Sequence, residues 1–344
     1  MRGDNLKNNK KNIVGIIGYG YWGPNIVRNF SNHPECDVKY ICDLEYKARN
    51  RAASQYPNIG IIDDPEIIFA DNEIDIIAIV TPVSMHYPLA KKALKAGKHI
   101  FLEKPMVETV VQSDDLIQIA KEKNLVGIVD HTFLFTGAVM KIKEIVDSGE
   151  IGDITYFDSV RVNLGLFQHD VDVIWDLAPH DLSILFYISG EHPVAVTANG
   201  VDHLNNGLVD VAYLTLHYES KMIANFHVNW LSPVKVRKIL IGGTKKMIVF
   251  DDMEPSEIIK IYDKGINVTK PEEIHQLLVK YRSGDMLAPN ISPTEALSLE
   301  VNNFIDQVKS NSMDSKNDLI HGRHVIRILE ASNRSLKRNK RVSI

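Results

Sequence analysis

The sequence predicts an α/β protein in two parts, a doubly wound parallel sheet followed by an α+β domain whose sheet is open and mostly antiparallel. Up to about Phe133, short β-branched runs alternate with amphipathic helical stretches, the pattern of a parallel sheet covered on both faces. Beyond it, long strand-like runs follow one another across short turns such as Glu219-Ser220 and Gly242-Gly243, the pattern of antiparallel neighbours. A length of 344 residues agrees with about two domains.

Residues 1–12, rich in Asn and Lys, read as a flexible tail. Strands are expected at Ile13 to Ile17, Val38 to Cys42, Ile59 to Ile62, Ile74 to Val80, His99 to Leu102 and Val126 to Val129, which makes 13–133 the first domain. Helices fill most of the intervals. The second domain, 134–344, opens with a helix at Gly137 to Ser148, a strand at Ile154 to Leu164 and a helix at Val173 to Ser189. Strands then follow at Val194 to Asp202, Leu208 to Tyr218, Met222 to Trp230, Val236 to Ile241, Met247 to Phe250 and Ile258 to Tyr262. Helices at Pro293 to Ser310 and Leu319 to Arg338 close the chain and are candidates to pack back on the first domain.

Composition narrows the function. With 44% hydrophobic and 24% charged residues the chain is ordinary for a folded protein, and a net charge of −5 supplies no field to recruit nucleic acid or anionic lipid. Apolar runs are strand-sized, far short of the roughly 20 residues a bilayer requires, and no apolar segment follows the N-terminal charges. The two cysteines, Cys36 and Cys42, fit neither a disulfide framework nor a zinc pattern. A cytoplasmic location is expected. The 13 histidines are scattered singly, so no metal is expected.

The first expected strand runs into Gly18-Tyr19-Gly20-Tyr21-Trp22-Gly23 and then a helix beginning near Pro24. In that context GxGxxG has a mechanism: Gly18 makes the tight turn, Gly20 lets backbone approach a pyrophosphate, and Gly23 lets helix and strand pack closely. The diphosphate would sit on the helix N-terminus. Asp43 ends the second strand twenty residues after Gly23, where a carboxylate accepts from ribose hydroxyls and repels a 2′-phosphate, so NAD is expected over NADP. This is the Rossmann pattern.

Thr81-Pro82 and Glu103-Lys104-Pro105 follow the fourth and fifth strands, at the sheet edge where such folds bind ligands. Pro105 restrains the backbone around Lys104, which aims that side chain. In the second half, a helix over Val173 to Ser189 places Asp176, His180, Ser183 and Tyr187 on one polar stripe. Pro179 interrupts the pattern and predicts either a kink or a helix that starts there, with Asp176 just ahead.

The motifs GYGYWG with Asp43, TPVSMHYPLAKKALKAGKHIFLEKP and WDLAPHD together resemble the glucose-fructose oxidoreductase, inositol dehydrogenase and MocA superfamily of NAD(P)-dependent sugar oxidoreductases, over nearly the whole chain. The resemblance implies that Lys104 is catalytic and that an Asp-x-x-x-His pair, here Asp176 and His180, completes the site. It also implies that the Gly-rich loop with Tyr21 and Trp22, the segment Thr81, Pro82 and His86, and Glu103 with Lys104 line the cofactor.

Oxidation of a secondary alcohol needs a base on the hydroxyl, and imidazole has the right pKa range. His180 is assigned that proton and Lys104 the developing alkoxide charge, roles the sequence allows to be exchanged; Asp176 orients the imidazole or binds a neighbouring hydroxyl. The wording GYGYWGPN, HTFLF, RVNLG and WDLAPHDLSIL resembles the branch acting at C3 of UDP- or dTDP-linked hexoses. A diphosphate needs cations and donors. Arg161 and Asn163 share a strand face, Gln168 and His169 precede the proposed helix, and Lys235 and Arg237 form either a phosphate grip or a solvated face. The rival reading is a dehydrogenase of a free polyol or sugar; a different class is an NAD(H)-binding regulator, against which the joint presence of Lys104, Asp176 and His180 argues. The resemblance further implies a homodimer or homotetramer paired through the open sheet.

Overall fold

A computed structural model of the chain describes residues 11–165, 170–263, 265–267, 280–282 and 284–344. It divides into two compact units, Met1–Thr132 with Glu295–Ile326, and Phe133–Thr294 with Arg327–Ile344.

The first unit is built on β1 (Asn12–Ile17), α1 (Gly23–Asn32), β2 (Cys36–Cys42), α2 (Tyr46–Gln55), β3 (Gly60–Ile62), α3 (Glu66–Ala70), β4 (Ile76–Ile79), α4 (Val83–Lys95), β5 (His99–Glu103), α5 (Val110–Lys123) and β6 (Gly127–Asp130). The six strands form one parallel sheet in the order β3-β2-β1-β4-β5-β6, whose reversal point lies between β1 and β4. Ligands bind such sheets at the carboxyl ends of strands beside that point. β1 starts at Asn12, one residue inside the expected tail, because Asn12 N donates to Glu35 O at 2.8 Å; residues 1–10 lie outside the described ones.

This unit also takes in a later helix, α8 (Ala296–Ser310), numbered here in chain order after α6 and α7 of the other unit. Leu297, Val301, Phe304 and Ile305 of α8 join the core of β1, α1 and β5. Phe30, Phe101 and Phe304 pack edge to face with centroids 5.5–6.4 Å apart, the arrangement that ring quadrupoles favour. Cys36 and Cys42 are free and buried, and burial pushes both thiols up to about 12.

The second unit opens with a 3-10 turn, whose last residues are Phe133 to Phe135, then α6 (Gly137–Asp147), β7 (Ile154–Leu164) and α7 (Val173–Ser189). The strands β8 (Ala195–Val201), β9 (Val211–His217), β10 (Ile223–Asn229), β11 (Leu231–Gly243), β12 (Met247–Asp251), β13 (Ile259–Tyr262), β16 (Met286–Leu287) and β17 (Val342–Ser343) join β7 in one sheet, ordered β16-β13-β12-β11-β7-β10-β9-β8-β17. β14 (Gly265–Asn267) and β15 (Lys280–Arg282) make a separate pair. Every pairing in the large sheet is antiparallel except β7 with β10. That exception follows from the sheet order, since β7 lies between β10 and β11, which run in opposite directions, and so must be parallel to one of them. The last helix, α9, runs Leu319–Arg338. Among the described residues no helix is long and apolar enough to cross a membrane.

Candidate functional site

In the first unit the Gly-rich turn has the shape its spacing demands. Gly18 has φ +103°, and a Cβ there would lie 2.3 Å from Val80 O; a Cβ on Gly23 would lie 2.6 Å from Gly18 O. At Gly20 a Cβ would meet nothing within 4 Å, so that backbone faces open space. Helix α1 follows with Pro24 in its first turn and no side-chain cap, so its start presents the positive end of the helix dipole to an anion. These features fit a dinucleotide diphosphate. Tyr21 is 83% exposed beside them.

Asp43 follows β2 and faces the turn. Its Oδ2 accepts from Tyr19 N at 2.6 Å and its Oδ1 from Glu45 N at 2.8 Å, while Arg51 donates to Tyr19 O at 3.1 Å. Asp43 therefore shapes the loop with the same carboxylate that was expected to take ribose.

Thr81 and Pro82 follow β4, and Pro82 caps α4; the Thr81 hydroxyl is buried with no hydrogen bond among the described residues. His86, expected to line the nicotinamide side, is 1% exposed, with Nδ1 2.9 Å from Pro105 O and Nε2 2.8 Å from Thr81 O. Its ring braces the two ligand-edge turns from within. Lys104 is half-buried at the exit of β5, and the Lys104–Pro105 peptide is cis.

Behind Lys104 lie buried titratable groups, and of the acids among them the sequence singled out Glu103 alone, as a residue lining the cofactor. Glu103 sits opposite Asp130 in the β5–β6 register, and its Oε2 is enclosed; burial, and then Asp130, push its carboxyl well above the usual range. Glu300 of α8 is 0% exposed and raised in the same way, again by burial and Asp130. Burial lowers Lys316 to about 8 and holds the His131 imidazole well below its usual value, with His321 and then Lys104 acting in the same direction. His131 stacks edge-on to His321 with centroids 5.3 Å apart.

In the second unit α7 begins earlier than its internal proline suggests. Asp172 caps it, Oδ1 accepting from Ile174 N and Trp175 N at 3.0 Å each, and the helix runs through Pro179. Asp176 and His180 are thus one turn apart on a continuous helix. Asp176 Oδ2 accepts from Trp230 Nε1 at 3.0 Å, and Ser183 donates to His180 O at 2.7 Å. The His180 imidazole meets the Phe133 ring edge to face at 5.2 Å.

Arg161 was expected to contact substrate. It is instead 3% exposed and donates to both oxygens of Asp181, through Nε at 3.0 Å and an η nitrogen at 2.6 Å, with Ser159 adding a third bond. A guanidinium that far from solvent needs a bidentate partner, and Asp181 provides it. Arg237, its register partner on β11, pairs with Asp252 at 3.1 Å, and both guanidiniums lie over the Phe133 ring, at 4.5 and 5.8 Å. Lys235 is exposed and Asn163 half-buried; Gln168 and His169 lie outside the described residues. Phe133 stands within HTFLF and Asp181 ends WDLAPHD, yet neither was singled out, because their importance comes from what touches them. Among the described residues no group of three His, Cys, Asp or Glu side chains is arranged to hold a metal.

Residues 13–131 match the family described as "Oxidoreductase family, NAD-binding Rossmann fold", and residues 139–249 match its "GFO/IDH/MocA C-terminal domain". The chain belongs to the GFO/IDH/MocA oxidoreductase family. It is an oxidoreductase with an NAD-binding Rossmann domain. Among its relatives is the UDP-N-acetylglucosamine 3-dehydrogenase of Acidithiobacillus ferrooxidans, 26% identical over 255 residues that cover 73% of this chain and 77% of the relative. Another is the scyllo-inositol 2-dehydrogenase (NADP(+)) of Bacillus subtilis, 28% identical over 221 residues, 60% of this chain and 59% of the relative. The fold is shared with a levoglucosan dehydrogenase in complex with NADH, at TM-score 0.83 and 19% identity over 97% of this chain and 99% of that one.

Proposed function

We propose that this oxidoreductase is NAD-dependent and acts on a secondary alcohol or ketone at C3 of a nucleotide-activated hexose, a UDP- or dTDP-sugar of surface-polysaccharide or amino-sugar synthesis. The observation that carries the substrate class is the relative acting on UDP-N-acetylglucosamine, whose match spans 73% of this chain. Asp43 beside the Gly-rich turn supports NAD over NADP, since a carboxylate there repels a 2′-phosphate.

A nicotinamide dinucleotide, when bound, supplies the hydride acceptor. The turn at Gly18, Gly20 and Gly23 holds its diphosphate. His180 takes the proton of the reacting hydroxyl, and Lys104 donates a hydrogen bond and positive charge to the oxygen as it gains alkoxide character. Asp176, one turn before His180, steadies the imidazole or binds a neighbouring hydroxyl. The enzyme works in the cytoplasm as a homodimer or homotetramer, joined through the outer face of the large sheet, where Tyr213, Val201 and Ile223 are exposed.

A dehydrogenase of a free polyol is the second reading. It is favoured by the inositol-acting relative and by the commitment of Arg161 and Arg237 to Asp181 and Asp252, which removes two cations from a diphosphate site. The test is a panel of UDP-sugars, dTDP-sugars and free polyols with NAD, read by absorbance of the reduced nicotinamide. Turnover of nucleotide sugars alone supports the first reading, turnover of free inositol alone the second.

A further inference from the structure

Three carboxyl groups and one indole meet at the carboxyl ends of β5 and β6, and the chemistry above uses none of the acids. Asp130, 2% exposed, is the register partner of Glu103, and after burial its charge is the next cause that pushes the carboxyls of Glu103 and Glu300 well above their usual range. Glu300 is held in turn by Asn317, whose Nδ2 donates to Glu300 Oε1 at 2.7 Å and to Val129 O at 2.9 Å. Burial, and then the charge of Asp130, favour the protonated form of both glutamates. Asp130 also takes the Thr132 hydroxyl, and its Oδ2 accepts from Trp22 Nε1 at 2.8 Å.

Trp22 is the residue just before Gly23, where the Gly-rich turn enters α1. The first part of that turn is held by bonds to Asp43, Arg51 and Cys42 O. Its latter part, Gly20 to Trp22, has the indole bond to Asp130 as its side-chain tether among the described residues.

We propose that Asp130 is a positioning residue for the dinucleotide: buried at the carboxyl end of β6 and held by the Thr132 hydroxyl, it fixes the Trp22 indole and so holds the latter part of the Gly-rich turn in the form that receives a diphosphate. The inference rests on the dinucleotide reading of the loop and is independent of the sugar substrate.

The experiment is a double-mutant cycle on the full-length protein, read as the Kd for NADH from nicotinamide fluorescence. Trp22→Phe removes the N–H and keeps an aromatic ring; Asp130→Ala removes the acceptor. Each is expected to weaken NADH binding about tenfold, and the double variant to bind no worse than either single one. Asp130→Asn, whose amide oxygen still accepts from the indole, is expected to fall between wild type and Asp130→Ala. Should Asp130→Ala fail to fold, Trp22→Phe alone decides, since it removes the donor and leaves Asp130 in place. Binding unchanged in Trp22→Phe, or losses that multiply in the double variant, would overturn the proposal alone. Absence of NADH binding by the unaltered protein would overturn the dinucleotide reading and the proposal with it.

Discussion

The ligand edge of the first unit and the polar helix face of the second are built from different materials. At the first, backbone does most of the work: a positive φ at Gly18, open space at Gly20, an uncapped helix start, and side chains such as Asp43 and His86 that hold loops from behind. At the second, side chains hold one another: Asp181 grips Arg161, Arg161 lies on Phe133, and Phe133 meets His180. A backbone site is read from residue spacing because only certain residues permit the geometry. A side-chain site depends on pairings that spacing does not record.

If that contrast is right, the largest single loss of stability will come in the second unit. Arg161→Ala would leave Asp181 buried and unpaired, and urea unfolding should show a loss of about 3–5 kcal/mol. Replacing both residues with apolar ones of similar volume should cost less than Arg161→Ala alone; equal costs would show that the ion pair is incidental.

Next in size are the proposed reacting groups. Lys104→Ala and His180→Ala should each lower turnover roughly a hundredfold, about 2.7 kcal/mol of transition-state stabilisation, with NADH affinity unchanged. A matching fall in NADH affinity for Lys104→Ala would make it a cofactor ligand rather than an acid–base group.

The buried acids sharpen the comparison through pH. Glu300 has a folded-state pKa raised above its ordinary 4.5, so its contribution to stability is complete below that value and is lost as pH rises through the folded one. Glu300→Gln does not titrate. Its stability relative to wild type should therefore improve with rising pH, by at most about 1.4 kcal/mol per unit. A difference that stays flat from mildly acidic to mildly basic pH would mean that Glu300 does not hold its proton.

The smallest effect is expected at Asp43. Asp43→Ala should shift the NAD to NADP preference toward NADP, on the order of tenfold. Because Asp43 also holds Tyr19 N, some loss of affinity for both dinucleotides should accompany the shift. An unchanged preference would confine Asp43 to shaping the turn.

What the sequence revealed follows the same division. The parallel sheet was legible to within a few residues because β-branched runs and a Gly-rich turn announce themselves; β5, expected at His99 to Leu102, is His99–Glu103. The shape of the Gly-rich turn was legible for the same reason. The start of α7 was obscured by Pro179, whose penalty is outweighed by the Asp172 cap and by burial of the helix among apolar neighbours. Arg161 was misjudged because its partner Asp181 lies twenty residues away in a motif noticed for His180. Asp130 and Glu300 were invisible because only folding brings β6 and α8 together.

The late arrival of α8 has a consequence for synthesis. Leu297, Val301, Phe304 and Ile305 fill the hydrophobic centre of a sheet whose strands end at Asp130. A nascent polypeptide would carry that sheet with one apolar patch bare until the ribosome reached Ile305, roughly ten to thirty seconds after Thr132 at ordinary elongation rates. Over that interval it is a natural client for chaperones, and a fragment truncated at Thr132 should aggregate.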